Sequence, residues 1–211
     1  MVWSEARNMG GRAQRGEHAP VHVPVLAREV VACFRALPPE LHTGWVVDGT
    51  LGMGGHAERL LEALPALHLL GVDQDEHALE LARARLAPHA RRVRIRQGRI
   101  SELARLVRKE RIGTPVGFLF DLGVSSLQLD EGARGFSFQQ DGPLDMRMDV
   151  RRTRRASDIV NEWDEADLAD LFYYEGDETR ARVIARAIVE ARERAPFLRT
   201  LALADLVARA T

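Results

Sequence analysis

The chain has 211 residues, 45% hydrophobic and 29% charged, with a formal net charge of −1. That balance fits a globular domain with an appendage and excludes fibrous, low-complexity and strongly basic classes. No run of about 18 apolar residues offers a membrane span, and a single cysteine excludes an internal disulfide and points to a reducing compartment.

Residues 1–21 carry Gly, Arg, Gln and His without an apolar stretch and read as a disordered tail rather than a secretory signal. Glu5 and Glu17 count against a mitochondrial presequence, so a bacterial cytoplasmic location is expected. Lys109 is the only lysine among 30 basic residues, a skew matching a high-GC genome. From Val25 to Leu37, Leu26, Val30, Val31 and Phe34 recur at helical spacing, and the Pro-Pro pair at 38–39 stops the helix. Cys33, in the apolar run V-V-A-C-F, is expected in the core. Strands then alternate with helices: strand 45–48, helix 55–64, strand 68–73, helix 75–87, strand 93–97, helix 101–110, strand 116–121. Such alternation implies an α/β fold with a parallel sheet and right-handed crossovers.

Residues 46–56, V-V-D-G-T-L-G-M-G-G-H, run a hydrophobic strand into a glycine-rich turn and a helix start. A turn of that kind after the first strand is a nucleotide-type cofactor site, with helix N–H groups aimed at the ligand. Gly52-x-Gly54-x-x-Ala57 satisfies the dinucleotide pattern, so NAD or FAD is one reading and an oxidoreductase its consequence. Asp48 favours another: a carboxylate there repels a pyrophosphate but suits the ammonium of S-adenosylmethionine. A purely structural turn is the third reading. Asp73 ends the second strand at the spacing of a ribose ligand, which fits either cofactor. Asp121 ends the fourth, so Asp48, Asp73 and Asp121 are expected to rim one cleft.

Residues 122–150 lack periodicity and read as a long functional loop. Beyond it only helical patterns occur, at 156–161, 165–174, 177–194 and 200–209. Four parallel strands with a helical appendage leave one sheet edge uncovered, and the chain reads as lacking strands that should follow the helices.

With those segments in view, D-G-T-x-G-x-G-G-H (48–56), D-L-G-V-S-S-x-Q-L-D (121–130) and R-G-F-S-F-x-x-D-G-P-L-D-M-R-M-D (134–149) closely resemble the RsmH/MraW family. The segments H-V-P-V-L (22–26) and G-D-E-x-x-A-x-x-I-A-R-A-I-V (176–189) are similar to it too. The resemblance implies a Rossmann-like class I methyltransferase core over residues 22–133 and an active-site loop with an inserted, all-helical substrate domain over 134–211. It implies methyl transfer from S-adenosylmethionine to the N4 amine of a cytidine in the decoding region of small-subunit ribosomal RNA, free or in an assembling subunit. A homodimer is left open. Further implied are methionine-end contacts from Gly54, Gly55 and His56, a ribose contact from Asp73, and cofactor-pocket roles for Asp121 and Gln128; Asp48 and Gly52 complete the set. Ile100 stands where the family carries an aromatic against the adenine. The family continues into further strands not found here, so a form that keeps only cofactor or RNA binding is an alternative reading.

An acceptor bonded to an N4 hydrogen raises the nucleophilicity of that nitrogen, and Asp121, Asp145 and Asp149 are the expected acceptors. The plainer readings are a strand-end cap for Asp121 and a loop locked through Arg147 for the other two. Phe136 and Phe138 either stack on an extruded base or pin the loop to the core. Met146 and Met148 are expected to pack against the core, and His22 to be structural. Arg151, Arg152, Arg154 and Arg155 form a basic run, a phosphate contact or a solvated linker; Arg180, Arg182, Arg186, Arg192 and Arg194 extend it along one helix.

Overall fold

The computed structural model describes residues 24–137 and 139–211. The tail 1–21, His22 and Phe138 therefore lie outside the described residues. Strands β1 (Trp45–Asp48), β2 (His68–Asp73), β3 (Val93–Gln97) and β4 (Gly117–Leu119) form one sheet in the order β3-β2-β1-β4. Every pairing is parallel. Between them run α2 (Gly55–Ala63), α3 (Glu76–Arg85) and α4 (Leu103–Glu110), and α1 (Ala27–Arg35) precedes β1. The fold is thus the α/β, Rossmann-like arrangement that the alternation predicts. β1 and β2 read as continuous apolar runs because they are covered on both faces, with Val46, Val47, Leu69, Leu70 and Val72 fully buried.

Successive strand residues point to opposite faces, which divides the core. Val46 packs with Phe34, Leu60, Leu64 and Leu67 from the α1–α2 side. Val47 packs with Leu70, Val72, Leu103, Leu106 and Ile112 from the α4 side. Leu69 joins Leu51, Ala57, Leu61, Leu79, Ala82 and Leu86 beneath α2 and α3. The chain winds outward from β1 to β3 and then returns to lay β4 on the other side of β1. The strand order therefore reverses beside β1, the position at which open α/β sheets bind ligands.

After β4 come a short helix α5 (Ser126–Asp130) and a 3-10 turn, Gly132–Arg134. The expected featureless loop is thus partly ordered: Ser125 and Gln128 form a capping box that starts α5. Then follow α6 (Ala156–Glu162), α7 (Glu165–Asp170), a π-helical turn Leu171–Glu175, α8 (Ala181–Arg192) and α9 (Thr200–Ala210). They share a core of Leu144, Val160, Leu168, Ala169, Ile184, Ala185, Ile188 and Phe197. Asn161 ties its side-chain amide to both the N–H and the carbonyl of Phe197.

Three expectations need correction. Cys33 is exposed, because α1 buries Ala27 and Phe34 while Cys33 falls on another face. Met146 is 48% exposed and left-handed (φ 58°), so it does not pack in the core, and half-buried Met148 lines a cleft. Arg192 leaves the proposed patch, since its guanidinium donates to the carbonyls of Val160 and Trp163. The β4 edge carries exposed Phe118 and Phe120 with rings 6.2 Å apart and nearly parallel. Among the described residues no helix is long and apolar enough to cross a membrane.

Candidate functional site: an acid-lined cleft over the strand ends

A cleft of about 520 Å³ opens at the carboxyl ends of β1, β2 and β4, within the size range of small-molecule sites. Its wall is the turn from Gly49 to His56, with Asp73 and Gln74 after β2, Gly98 to Ile100 after β3, and Asp121 to Val124 after β4. The Asp73 carboxylate ties two of these segments together: one oxygen accepts from Gly52 N–H at 2.8 Å, the other from Asp75 N–H at 2.9 Å. A carboxylate has about four acceptor positions, so these bonds leave acceptor capacity for a ligand hydroxyl.

Asp48 lies beneath the cleft rather than in its wall. It is 2% exposed and accepts from Thr50 N–H at 3.1 Å. Burial pushes its carboxyl up to about 7, and the nearby charges of Asp73 and Asp121 push the same way. Burial also raises Asp73, against the N–H bonds from Asp75 and Gly52. Thr50 relays this floor to β4, its hydroxyl accepting from Asp121 N–H at 2.7 Å. Three carboxylates thus converge where negative charge is costly, and a cation entering the cleft relieves that cost.

Beside these acids the cleft also meets positive groups. α2 begins at Gly55 with its first N–H groups free of helical partners. A Cβ on Gly55 would stand 2.6 Å from Pro24 Cγ and 3.2 Å from an Arg85 guanidinium nitrogen, so only glycine leaves this corner open. Arg85 lines the cleft, and its nearest carboxylate, Glu58, is 3.8 Å away. His56 has one ring nitrogen 2.8 Å from the Val25 carbonyl and the other 3.9 Å from an Asp121 oxygen. Gly54 does not face the cleft; a Cβ there would meet Leu86 and Ala82 of the α3 side.

Of the expected cofactor set, Gly52, Gly55, His56, Asp73, Ile100, Asp121 and Gln128 line one cleft. Ile100 is 44% exposed at the β3 end. Gln128 is 5% exposed with both amide atoms engaged: its oxygen accepts from Ser125 N–H and its nitrogen donates to Asp75 at 2.9 Å. The expected proton acceptors separate. Asp121 lines the cleft, whereas Asp145 is gripped by Arg147 at 2.7 and 2.8 Å and Asp149 by Arg151 at 2.8 Å through each oxygen. Those arginines hold both carboxyls below their usual range, which weakens them as bases.

Phe136 is half-buried and outside the cleft wall. In the basic run Arg151 pairs with Asp149 and Arg155 with Asp145, Arg154 lies 5.9 Å over the Trp163 ring, and Arg152 is exposed. Sequence reasoning missed Arg85, Thr50, Gln74 and Met148 in this site. Arg85 is one of several arginines on an ordinary amphipathic helix, and only the fold reveals that it reaches Gly55.

Against known proteins, a family model described as the MraW methylase family matches residues 19–211. Three similar proteins bear the name ribosomal RNA small subunit methyltransferase H. That of Methylobacterium nodulans is 49% identical over 90% of this chain and 55% of its own length. That of Thermobifida fusca is 49% identical over 92% of this chain and 58% of its own. That of Geotalea uraniireducens is 48% identical over 88% and 59%. The chain thus spans a little over half the length of the relatives it matches.

Proposed function

The chain belongs to the MraW methylase family, and from that premise we propose that it uses S-adenosylmethionine to methylate the N4 amine of a cytidine in the decoding region of small-subunit ribosomal RNA. The observation that carries the reading is the mixed charge of the cleft, where Asp48, Asp73 and Asp121 gather beside an open helix start and Arg85. A zwitterionic amino-acid cofactor matches both. A dinucleotide suits the helix start but not the acids, because its pyrophosphate would enter the field of Asp48, Asp73 and Asp121.

When bound, S-adenosylmethionine supplies an electrophilic methyl group on a sulfonium. Asp73 offers its remaining acceptor capacity to a ribose hydroxyl. The α2 start at Gly55 and His56, with Arg85, holds a carboxylate, and Asp48 and Asp121 supply the field that favours an ammonium and a sulfonium. Ile100 covers the adenine. Asp121 is the residue best placed to accept a hydrogen bond from the cytosine amine and take up its proton, since it lines the cleft and its ionic contact is a histidine 3.9 Å away. Most of the rate enhancement comes from alignment, which fixed walls provide.

Residues 22–133 form the cofactor domain in this reading, and 134–211 the active-site loop and helical substrate domain. Arg151, Arg152, Arg154 and Arg155, with Phe136, contact the RNA in this reading, whether free or in an assembling subunit, in the bacterial cytoplasm. Isothermal titration with S-adenosylmethionine, with NAD as counter-ligand and Asp73→Ala as control, tests the cofactor. Saturable binding of the first alone, lost in the variant, is expected; binding of NAD alone overturns it. Methyl transfer to undermethylated small subunits tests the substrate, and binding without transfer would assign this chain only the binding role.

A further inference from the structure

The segment carrying Asp145 to Asp149 is joined to the cofactor side of the cleft through one side chain that the function above does not use. Asp75, two residues past Asp73, is 2% exposed. Its carboxylate caps α3 through His77 N–H and accepts from Gln128. Its third partner is Arg134, whose guanidinium lies 2.9 Å from one carboxylate oxygen and donates to the other at 3.2 Å. The same guanidinium donates onward to the carbonyls of Arg147 and Met148, at 3.2 and 3.3 Å. Met148 lines the cleft, and its sulfur accepts from Gln74 at 3.1 Å.

Gln74 meets the segment only at the Met148 sulfur, whereas Arg134 spans from the Asp75 carboxylate to two of its backbone carbonyls. The backbone of Arg134 accepts from Met146 N–H at 3.1 Å, and Gly135, left-handed at φ 79°, leaves no room for a Cβ against Pro143, Asp145 and Met146. A continuous path therefore runs from Gly52 N–H through Asp73, the Asp75 backbone and carboxylate, and Arg134 to the Met148 carbonyl. Arginine suits this place because its planar fork can grip a carboxylate with one edge and still donate to carbonyls; a lysine keeps the charge, but its donors all start from one nitrogen and cannot span both.

We propose that Arg134 is a positioning residue that couples ligand occupancy of the Asp73 end of the cleft to the placement of residues 145–149. A ligand that fixes Asp73 stiffens Asp75, and Arg134 passes the constraint to the wall formed by Met148. Coupling of this kind is reciprocal, so an ordered 145–149 segment in turn favours the ligand. The role rests on the methyltransferase reading for the identity of the ligand and on the contacts above for the rest.

Hydrogen exchange with and without S-adenosylhomocysteine tests it on the full chain. In the unsubstituted protein the ligand is expected to slow exchange at residues 52–55 and, about tenfold, at 147–149. In Arg134→Lys, which leaves Asp75 its Gln128 and His77 bonds and a nearby ammonium, affinity should stay within about threefold while protection at 147–149 falls below about twofold. Arg134→Gln should behave alike. Retained protection at 147–149 in either variant overturns the proposal. So does an affinity loss matching the lost protection, since Arg134 would then be building the cofactor site itself. If the unsubstituted chain shows no protection at 52–55, the cofactor reading falls instead. Arg134 is then judged on unliganded exchange at 145–149, and no acceleration in Arg134→Lys overturns its role as well.

Discussion

The strand-end side and the loop side of the molecule treat their carboxylates in opposite ways. At the ends of β1 and β2, buried Asp48 and half-buried Asp73 are both pushed upward by loss of solvent. On the loop that leads into the helices, Asp141, Asp145 and Asp149 each meet an arginine, Arg199, Arg147 and Arg151, and are held low. Acids neutralised in place hold the chain together, whereas acids left short of counter-charge are set for a cation that arrives from outside. On the proposed function, the difference separates acids that would receive the cofactor from acids that hold the loop in shape.

The most forceful way to break this comparison is to damage one side and watch the other. Ile188 is fully buried in the helical core, and Ile188→Ala is expected to cost about 2–5 kcal/mol in urea unfolding. Affinity for S-adenosylmethionine should change little below the transition, because the cleft draws on a separate set of core residues. Loss of affinity in the folded variant would mean that the two sides stand or fall together.

Asp48 gives the next largest effect, with a definite sign. Its folded value, about 7, exceeds the ordinary 3.8, so the folded state holds the extra proton between those limits. That contribution to stability is fully present below about pH 3.8 and is lost as pH rises through about 7. Asp48→Asn keeps an acceptor for the Thr50 N–H, and should exceed the unsubstituted chain by roughly 2–4 kcal/mol at about pH 8 but by little at about pH 4. Equal denaturation midpoints at both pH values would remove the crowded-acid picture.

Replacing Arg151 and Arg152 together by Glu should weaken RNA binding about tenfold at low salt and flatten its salt dependence. Cofactor binding should be untouched. An unchanged salt slope would take the basic run out of the interface. The smallest effect belongs to Asp149, whose stabilising contribution is present above the ordinary 3.8 and lost as pH falls through its lowered value. Asp149→Asn should cost about 1 kcal/mol at neutral pH, since its partner Arg151 is half exposed. The gap should close in acid, the reverse of Asp48.

Much of the binding side was legible from local pattern. Apolar runs mark β1 and β2, and the glycine-rich turn with Asp73 and Asp121 marks the cleft, because parallel strands bring their carboxyl ends together whatever the packing details. The holding side was far less legible. The lock of Asp145 on Arg147 was one of the readings the sequence offered, but that Asp149 is taken by Arg151 and not by Arg147 depends on how the loop folds back. That Met146 points outward depends on its left-handed backbone. The reach of Arg85 to Gly55 and of Arg134 to Asp75 joins elements far apart in the chain, and helical or strand periodicity carries no trace of such contacts.

The brace of the loop has a consequence for the order in which the molecule is made. Gly142 N–H and the Gln140 carbonyl are met by the hydroxyl of Thr200, Leu144 N–H by the carbonyl of Leu198, and Asp141 by Arg199. Every one of these partners lies at the start of α9, far along the chain from Asp121. A chain emerging from its N-terminus can assemble β1 to β4 and the acids at their ends long before α9 exists to clamp the loop. The cleft and its Met148 wall can therefore form before residues 140–144 of the loop are pinned.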